Sequence, residues 1–221
     1  MTFELAALDM AGTTVEEGGA VYAALDQAVA AHIGRPVPAD VLHRWTGTSK
    51  REATAGLLTE LTGTAADTDT VYTDFTRRLT KAYADVPPRP IPGVTEAIGE
   101  LRAAGVKVVL QTGYSRDIAE SILDAMHWTV PGTVDGLVTS DEVPASRPAP
   151  YLIFRAMELA GVTSVHRVLA AGDTPNDLAA AHNAGAAYAV AVTTGASTPT
   201  DLGRHPHTHL LKSAADLPTL L

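Results

Sequence analysis

Hydrophobic positions follow two different patterns along the chain. From about residue 92 onward, short apolar runs alternate with apolar positions at helical spacing, and a further apolar run lies at the N-terminal end. The runs predict strands at 5–8, 106–110, 134–138, 168–171 and 187–192, with helices near 94–101, 117–126, 151–159 and 176–184. Strands that alternate with helices of this length predict a doubly wound, mostly parallel sheet with helices on both faces.

Residues 16–87 behave differently, because they show helical patterns with no convincing strand between them. Three apolar stripes occur there, at Val21, Leu25, Ala28 and Val29, at Leu57, Leu58 and Leu61, and at Val71, Phe75, Leu79 and Ala82. Gly18-Gly19 opens this segment and a proline-rich stretch at 87–90 closes it, which suits hinges. We therefore expect an α-helical cap at 16–87, inserted into an α/β core of residues 1–15 and 88–221.

Composition narrows the class of protein. The chain has 221 residues, 46% of them hydrophobic, which is enough to bury a sizeable core. Its net charge of −9 disfavours binding to nucleic acid or to acidic membrane surfaces. With no cysteine, it forms neither a disulfide nor a thiolate metal site. We expect a cytoplasmic protein whose partner is a small molecule.

Polar residues follow several of the predicted strands. Asp9 comes after the first strand, Thr112 after the strand at 106–110, and Asp173 after the strand at 168–171, while Arg147 precedes a helix. The carboxyl ends of parallel strands form the crevice in which open α/β folds bind ligands. Asp9 and Asp173 could share a hard cation such as Mg²⁺, and Thr112 and the Arg147 guanidinium could hold phosphoryl oxygens. The pattern indicates an anion and metal site.

These residues resemble the motifs of the haloacid dehalogenase superfamily of aspartate-nucleophile phosphotransferases, which implies a Rossmann-like core with a helical cap. That superfamily usually carries a second Asp two residues after the nucleophile, as general acid and base, where this chain has Ala11. The Asp-x-Ala-Gly-Thr motif, together with Arg147, is similar to phosphonoacetaldehyde hydrolases, or phosphonatases, and their relatives. In these enzymes a cap lysine forms a Schiff base with the substrate aldehyde, and Lys50 occupies the matching position.

The resemblance implies a role for each remaining motif residue. It places Mg²⁺ on Asp9, the Ala11 carbonyl and Asp173, with Asp177 in support. Thr112 and Arg147 join Asp9 and Lys50 as the catalytic set. Residues that would contact the substrate are Gly12, Thr13, Gly113 and Tyr114. Independently of the resemblance, helical caps with exposed apolar stripes can dimerise, so a homodimer through the cap is a further prediction.

A lysine suits this chemistry for physical reasons. Cleavage of a carbon–phosphorus bond releases a carbanion, which needs an electron sink, and a protonated imine provides one. A lysine with an ordinary pKa of about 10.4 has only about one neutral amine in 10³ near pH 7. Cap closure is expected to desolvate Lys50 and lower its pKa, with Arg51 contributing.

Other interpretations remain open at this stage. Lys50 could instead contact substrate or lie at the surface, Asp177 could cap a helix, and Tyr114 could be a packing residue. Ala53 stands where phosphonatases have a histidine three residues after the lysine. A phosphatase for small phosphate monoesters is therefore an alternative to phosphonate hydrolysis. A catalytically weak sensor of phosphorylated ligands is another.

Overall fold

A six-stranded parallel sheet forms the centre of the molecule in the computed structural model, which describes residues 3–221. In chain order the strands are β1 (Leu5–Leu8), β2 (Val15–Glu16), β3 (Arg89–Pro90), β4 (Lys107–Gln111), β5 (Gly136–Val138), β6 (Val168–Gly172), β7 (Tyr188–Val192) and β8 (His209–Leu211). The sheet order is β5-β4-β1-β6-β7-β8, whereas β2 and β3 pair separately and antiparallel. Strand β1 therefore lies inside the sheet, between β4 and β6.

The helices are α1 (Ala20–Ile33), α2 (Ala39–Arg44), α3 (Lys50–Thr62), α4 (Thr68–Asp85), α5 (Val94–Ala103), α6 (Arg116–Ala125), α7 (Tyr151–Ala160), α8 (Pro175–Ala184) and α9 (Pro199–Leu202). Short 3-10 turns occupy Ser140–Glu142, Val165–Arg167 and Ala214–Leu220. None of the helices within residues 3–221 combines the length and apolar character needed to cross a lipid bilayer.

Strand β1 shows why both faces of the sheet are covered. All four of its side chains are fully buried, and they alternate between two apolar clusters. Ala6 and Leu8 belong to the cluster that contains α5 and α6, and Leu5 and Ala7 to the one that contains α7 and α8. A strand buried on both faces reads as a continuous apolar run. The predicted fold class is confirmed.

Helices α1 to α4 lie between β2 and β3, and we call residues 20–85 the helical insert. Its apolar stripes face inward, since Leu25, Leu57 and Phe75 are fully buried. Where the chain enters and leaves the insert, Val15 pairs with Pro90 and Glu16 with Arg89, and Arg89 Nε donates to Glu16 Oε2 at 2.8 Å. The two connections to the insert are thus joined side by side.

Several details differ from the sequence-based predictions. Helix α2 was not expected, and none of its residues is fully buried, so it lacks the apolar stripe by which a helix is recognised. The β2 and β3 pairing was also missed, because two-residue strands are too short to show alternation. The apolar run at 134–138 forms a strand only from Gly136.

Candidate active site

Asp9 lies directly after β1, at the carboxyl edge of the sheet, and its side chain is buried. Its backbone N–H donates to Ala171 on β6 at 3.0 Å, and Thr14 Oγ1 donates to its carbonyl at 2.8 Å. Gly12 has a φ of +80°, and a Cβ there would lie 2.7 Å from Asp173 Oδ2. The turn after Asp9 therefore requires a glycine at position 12.

Three carboxylates meet at this edge of the sheet. Asp9, Asp173 and Asp177 each offer an oxygen within 4.8 Å of the others, and all three are buried. Asp173 accepts hydrogen bonds from the Ala196 N–H at 2.6 Å and from Thr13 Oγ1 at 3.3 Å. Burial raises the pKa of Asp173 well above its usual range, and the neighbouring carboxylates add to that rise.

The cluster of three carboxylates is suited to a divalent cation. Arg147 is the positive charge in contact with it, which leaves the cluster with excess negative charge in a buried site. Among residues 3–221, Asp177 Oδ1 receives no hydrogen bond, although it lies 3.0 Å from Arg147 Nη1. Buried carboxylate oxygens are the ligands that Mg²⁺ prefers. Ala11, whose carbonyl was predicted to bind the ion, lines one cavity together with Asp173.

Asp177 also has a structural role. It lies in the first turn of α8, where it and Thr174 form a reciprocal capping box. Its Oδ2 accepts from the Thr174 N–H at 3.1 Å, so one oxygen stabilises the helix while Oδ1 faces the carboxylate cluster. The cap and the site interpretations of Asp177 are compatible.

Arg147 links the strand ends to the helical insert. Its guanidinium is buried, with Nη1 2.7 Å from Asp9 Oδ1. Nη2 donates to the Gln111 carbonyl at 2.7 Å, and Nη1 donates to the Gly47 carbonyl of the insert at 3.0 Å. A forked guanidinium can hold several acceptors in one plane, and this one holds an Asp9 oxygen and two backbone carbonyls.

The loop after β4 brings three predicted residues to the same place. Thr112 is buried, its N–H donates to Val138 at 3.0 Å, and its Oγ1 accepts from the Tyr114 N–H. Gly113 lies against the insert, because a Cβ there would be 2.3 Å from the Thr48 carbonyl oxygen. The insert and the core thus touch at a position that only a glycine accommodates.

Lys50 is the first residue of α3, and its side chain is only 5% exposed. Its Nζ donates to the Thr48 carbonyl at 2.9 Å and lies 5.0 Å from the ring centre of Tyr22 and 5.7 Å from that of Tyr114. Burial lowers the pKa of Lys50 to about 8, while the Asp9 carboxylate opposes that shift. A surface position for Lys50 is therefore excluded.

Arg51 does not lie at the site. It pairs with Asp69 on the exposed side of the insert, next to the ring of Tyr72. The expectation that Arg51 lowers the pKa of Lys50 is wrong, since Arg147 is the positive charge that does so. The reason is helical geometry, because the residue after Lys50 points about 100° away from it around α3.

Further contacts hold the insert against the core beside these residues. Asn176 Nδ2 donates to the Thr46 carbonyl at 2.7 Å, and the Ser146 N–H donates to Glu52 Oε1 at 3.0 Å. A Cβ on Gly47 would lie 2.1 Å from Thr174 Oγ1. The helical insert therefore packs over the carboxyl ends of the central strands.

Burial raises the pKa of Asp9 to about 6, and the nearby Asp177 carboxylate adds to that rise. Arg147 opposes it through its charge and a hydrogen bond. A bound cation would favour the ionised form in the same way. Asp9 is thus placed as a buried carboxylate whose charge depends on the positive groups around it.

The sequence model of the haloacid dehalogenase-like hydrolases matches residues 3–185. This chain belongs to that family. The match includes the whole helical insert as well as Asp9, Arg147 and Asp173, so the family assignment and the cluster at the strand ends concern the same residues. As a haloacid dehalogenase-like hydrolase, the protein is an enzyme.

A curated relative is the phosphonoacetaldehyde hydrolase of Parabacteroides distasonis, which is 37% identical over 137 residues. The aligned region covers 59% of this chain and 48% of that protein. The chain spans about half the length of the curated relatives it matches. Their activity is therefore carried to this hydrolase only as a proposal.

Solved structures support the fold. A phosphonoacetaldehyde hydrolase like protein from Oleispira antarctica has a TM-score of 0.81 at 22% identity, covering 100% of this chain and 91% of that one. A predicted phosphoglycolate phosphatase from Haemophilus somnus has a TM-score of 0.76 at 20% identity, covering 100% and 98%. At such identities the likeness concerns the fold, and this fold occurs in proteins named for different substrates.

Sequence reasoning missed several residues around Lys50. Tyr22, Tyr83 and Glu17 lie near it, although they belong to α1, to α4 and to the entry of the insert. Gln111, whose side-chain oxygen accepts from Arg147 Nε at 3.2 Å, was missed as well. A glutamate next to a predicted hinge was the one available signal, and nothing in its spacing pointed to Lys50.

Proposed function

We propose that this hydrolase cleaves the carbon–phosphorus bond of phosphonoacetaldehyde or a related phosphonate, through an aspartyl phosphate and a Schiff base on Lys50. The observation that carries the proposal is the buried Lys50 amine, whose pKa is lowered to about 8 and is influenced by the Asp9 charge. Ala11 stands where a carboxylic acid would otherwise protonate a leaving group. Together these features favour a mechanism in which a lysine imine accepts the electrons of the leaving group over one in which a carboxylic acid protonates it.

The proposed chemistry begins at nitrogen. The neutral Lys50 amine adds to the aldehyde carbon, and loss of water leaves a protonated imine. Near pH 7, a pKa of about 8 leaves roughly one amine in ten neutral, against fewer than about one in 10³ at the ordinary value. Burial of Lys50 therefore increases the reactive fraction by about a hundredfold or more.

The second stage takes place at phosphorus. An Asp9 oxygen attacks phosphorus, the carbon–phosphorus bond breaks, and its electron pair forms a carbon–carbon double bond as the imine nitrogen becomes neutral. Protonation of the resulting enamine and hydrolysis of the imine release acetaldehyde and free Lys50. Water then hydrolyses the aspartyl phosphate to phosphate. Thr112, Gly113 and Arg147 are the proposed phosphoryl-holding groups, with Gly12 and Thr13 at the turn beneath.

Asp9, the Ala11 carbonyl and Asp173 would hold Mg²⁺, with Asp177 in support. When bound, this ion supplies positive charge that offsets the carboxylates and polarises phosphoryl oxygens. The three carboxylates by themselves repel a phosphonate dianion, so Arg147 and the backbone amides have to orient the substrate against that repulsion. This requirement explains why the guanidinium lies in direct contact with Asp9.

We further propose that residues 16–87 act as a cap that opens on the core formed by 1–15 and 88–221. The buried position of Lys50 supports this, because a substrate needs a path to an amine that is 5% exposed. Gly18 and Gly19 both have positive φ values and open space around them, which suits a hinge. A cap-to-cap homodimer remains a prediction.

The test is borohydride trapping with phosphonoacetaldehyde. Reduction of the imine should attach the aldehyde to Lys50, as detected by peptide mass. The matched control is Lys81→Ala, which changes an exposed lysine of α4 and should leave trapping and phosphate release unchanged. Lys50→Ala should remove both. Absence of an adduct in the native protein would contradict the Schiff base.

A phosphatase acting on small phosphate monoesters is the second candidate. The observation that favours it is Ala53, which leaves Lys50 without a neighbouring histidine for proton transfer. In that case Lys50 would contact substrate without bonding to it. A phosphate-release screen over phosphonoacetaldehyde, hydroxylated phosphonates and common phosphate esters separates the two. Fast ester turnover that survives Lys50→Ala would favour the phosphatase.

A further inference from the structure

Glu17 lies at the entry of the helical insert, where no catalytic residue was expected. It lines a cavity of about 280 Å³ together with Ala11, Tyr22 and Asp173. The cavity therefore joins the metal-binding edge of the sheet to the ring beneath the Lys50 amine. The Glu17 carboxyl group therefore shares this cavity with Asp173 of the carboxylate cluster and with Tyr22, whose ring lies beside the Lys50 amine.

A chain of polar contacts connects Glu17 to the surroundings of Lys50. The Tyr83 hydroxyl lies 2.9 Å from the Tyr114 hydroxyl, and Tyr83 interacts electrostatically with the Glu17 carboxylate. The Tyr114 ring in turn lies beside the Lys50 amine. Glu17 and Lys50 also influence each other's charge. The half-buried Glu17 carboxyl group and the buried Lys50 amine thus border the same group of tyrosines.

Glu17 has a structural role as well. Its Oε2 accepts from the Val21 N–H at 2.8 Å and its Oε1 from the Gly19 N–H at 3.1 Å, which caps the start of α1. Such hydrogen bonds favour a carboxylate, yet burial raises the pKa of Glu17 above its ordinary value in spite of them. A capping residue on the surface would not be expected to behave in this way.

We propose that Glu17 is the acid and base for the Lys50 imine, in the place that Ala11 and Ala53 leave without a proton donor. This inference rests on the proposed function. The amine adds to the aldehyde to give a carbinolamine. Glu17 then donates a proton to its hydroxyl, the carbon–oxygen bond breaks, water leaves, and the nitrogen lone pair forms the protonated imine. In the release step Glu17, now a carboxylate, removes a proton from the water that attacks the imine.

The charged and titratable groups around Glu17 are Lys50 on α3, Tyr83 on α4 and Tyr22 on α1. Asp173, after β6, and the neighbouring Glu16 line the same cavity. Burial raises the pKa values of both tyrosines, so they stay neutral at neutral pH. Lys50 is the basic group whose charge acts on Glu17. Positive charge on Lys50 favours the Glu17 carboxylate, so a neutral Lys50 favours the protonated acid that dehydration needs.

The experiment measures how fast the Lys50 adduct forms when phosphonoacetaldehyde and borohydride are mixed with the protein and quenched at intervals. Glu17→Gln and Glu17→Ala should slow adduct formation about 10²-fold at pH 7, the usual effect of losing a general acid. Added acetate should raise the rate of adduct formation in Glu17→Ala at least about tenfold. It should not raise the rate in Glu17→Gln, because the amide side chain fills the position that acetate would occupy. The control variant Glu16→Gln changes the exposed neighbouring residue, and its rate of adduct formation should stay within about twofold of the native rate.

The outcomes separate the two proposals. Adduct formation in native protein with an unchanged rate in Glu17→Gln overturns the role of Glu17 and leaves the Schiff base intact. Slower formation without acetate rescue overturns it too, because loss of the α1 cap alone would give that result. No adduct in the native protein overturns both proposals. Thermal unfolding of each variant shows how much loss of the Glu17 hydrogen bonds at the start of α1 destabilises the fold.

Discussion

The strand-end carboxylates and the Lys50 amine belong to one site, but they are held in different ways. Asp9 and Asp173 follow neighbouring central strands, whose backbone hydrogen bonds fix them. Lys50 is held by the loop of residues 45–49, which rests on Gly113 and Thr174 of the core. The carboxylate cluster, where we propose that the phosphoryl group binds, is therefore built into the sheet. The position of Lys50, where we propose that the carbon skeleton binds, depends on docking of the insert.

Because of this difference, substitutions in the carboxylate cluster and substitutions around Lys50 should impair different steps of the proposed reaction. Asp9→Asn removes the proposed nucleophile, and we expect phosphate release from phosphonoacetaldehyde to fall by about 10⁴-fold or more. Borohydride trapping at Lys50 should persist, since Asp9 raises the pKa of that lysine and its removal favours the neutral amine. Phosphate release within about tenfold of the native rate would mean that Asp9 is not the nucleophile.

Gly113→Ala tests the docking of the insert. The new Cβ would lie 2.3 Å from the Thr48 carbonyl oxygen, so the loop has to move away from the strand ends. A displacement of about 1 Å at a reacting group costs on the order of 10² in rate. We expect such a loss in phosphonate turnover and a Lys50 pKa shifted back toward its ordinary value.

The matched control is Gly99→Ala in α5, where an added Cβ meets nothing within 4 Å. It should leave turnover unchanged and stabilise the fold by about 0.5–1 kcal/mol, because alanine is the better helix former. Equal turnover in Gly113→Ala and Gly99→Ala would show that the loop adapts, and that the position of Lys50 does not depend on it.

The pH dependence of the Lys50 amine tests whether docking of the insert keeps that amine buried. Its folded pKa of about 8 lies below the ordinary 10.5, so the neutral amine should increase about tenfold per pH unit up to pH 8 and then level off. Acetylation of Lys50 by acetic anhydride, followed by peptide mass at each pH, measures this directly. The protein unfolded in urea provides the reference. A midpoint above pH 10 in folded protein would contradict burial of the amine.

Lys50→Met should stabilise the protein, because the buried charge is replaced by an apolar side chain of similar length. We expect a gain of roughly 1–3 kcal/mol in unfolding free energy at pH 7. Between pH 8 and 10.5 the unfolded chain binds the Lys50 proton and the folded chain does not. Native stability therefore rises with pH in that window, and the gain from Lys50→Met should shrink.

Urea denaturation at pH 7 and pH 10 measures both effects. The matched control is Lys81→Met, an exposed position at which we expect a change within about 0.5 kcal/mol at either pH. A Lys50→Met variant less stable than the native protein at pH 7 would show that the Lys50 contacts outweigh the cost of burying its charge.

Local sequence patterns were enough to predict the parallel sheet and the strand-end position of Asp9, Thr112 and Asp173. Such features are local, because an apolar run sets the strand and the residue that follows it lies at the edge of the sheet. The sequence also predicted that a lysine in the helical segment belongs to the site, although through a resemblance rather than through spacing.

Which groups surround that lysine became apparent only in the folded chain. Glu17 and Tyr22 are close in sequence, but Tyr83 and Tyr114 are far from them and from Lys50, and they meet because the insert folds back over the core. The choice between Arg51 and Arg147 as the neighbouring cation was settled in the same way. Burial and charge depend on such distant contacts, which no local pattern of residues records, and together they set the reactivity of the Lys50 amine.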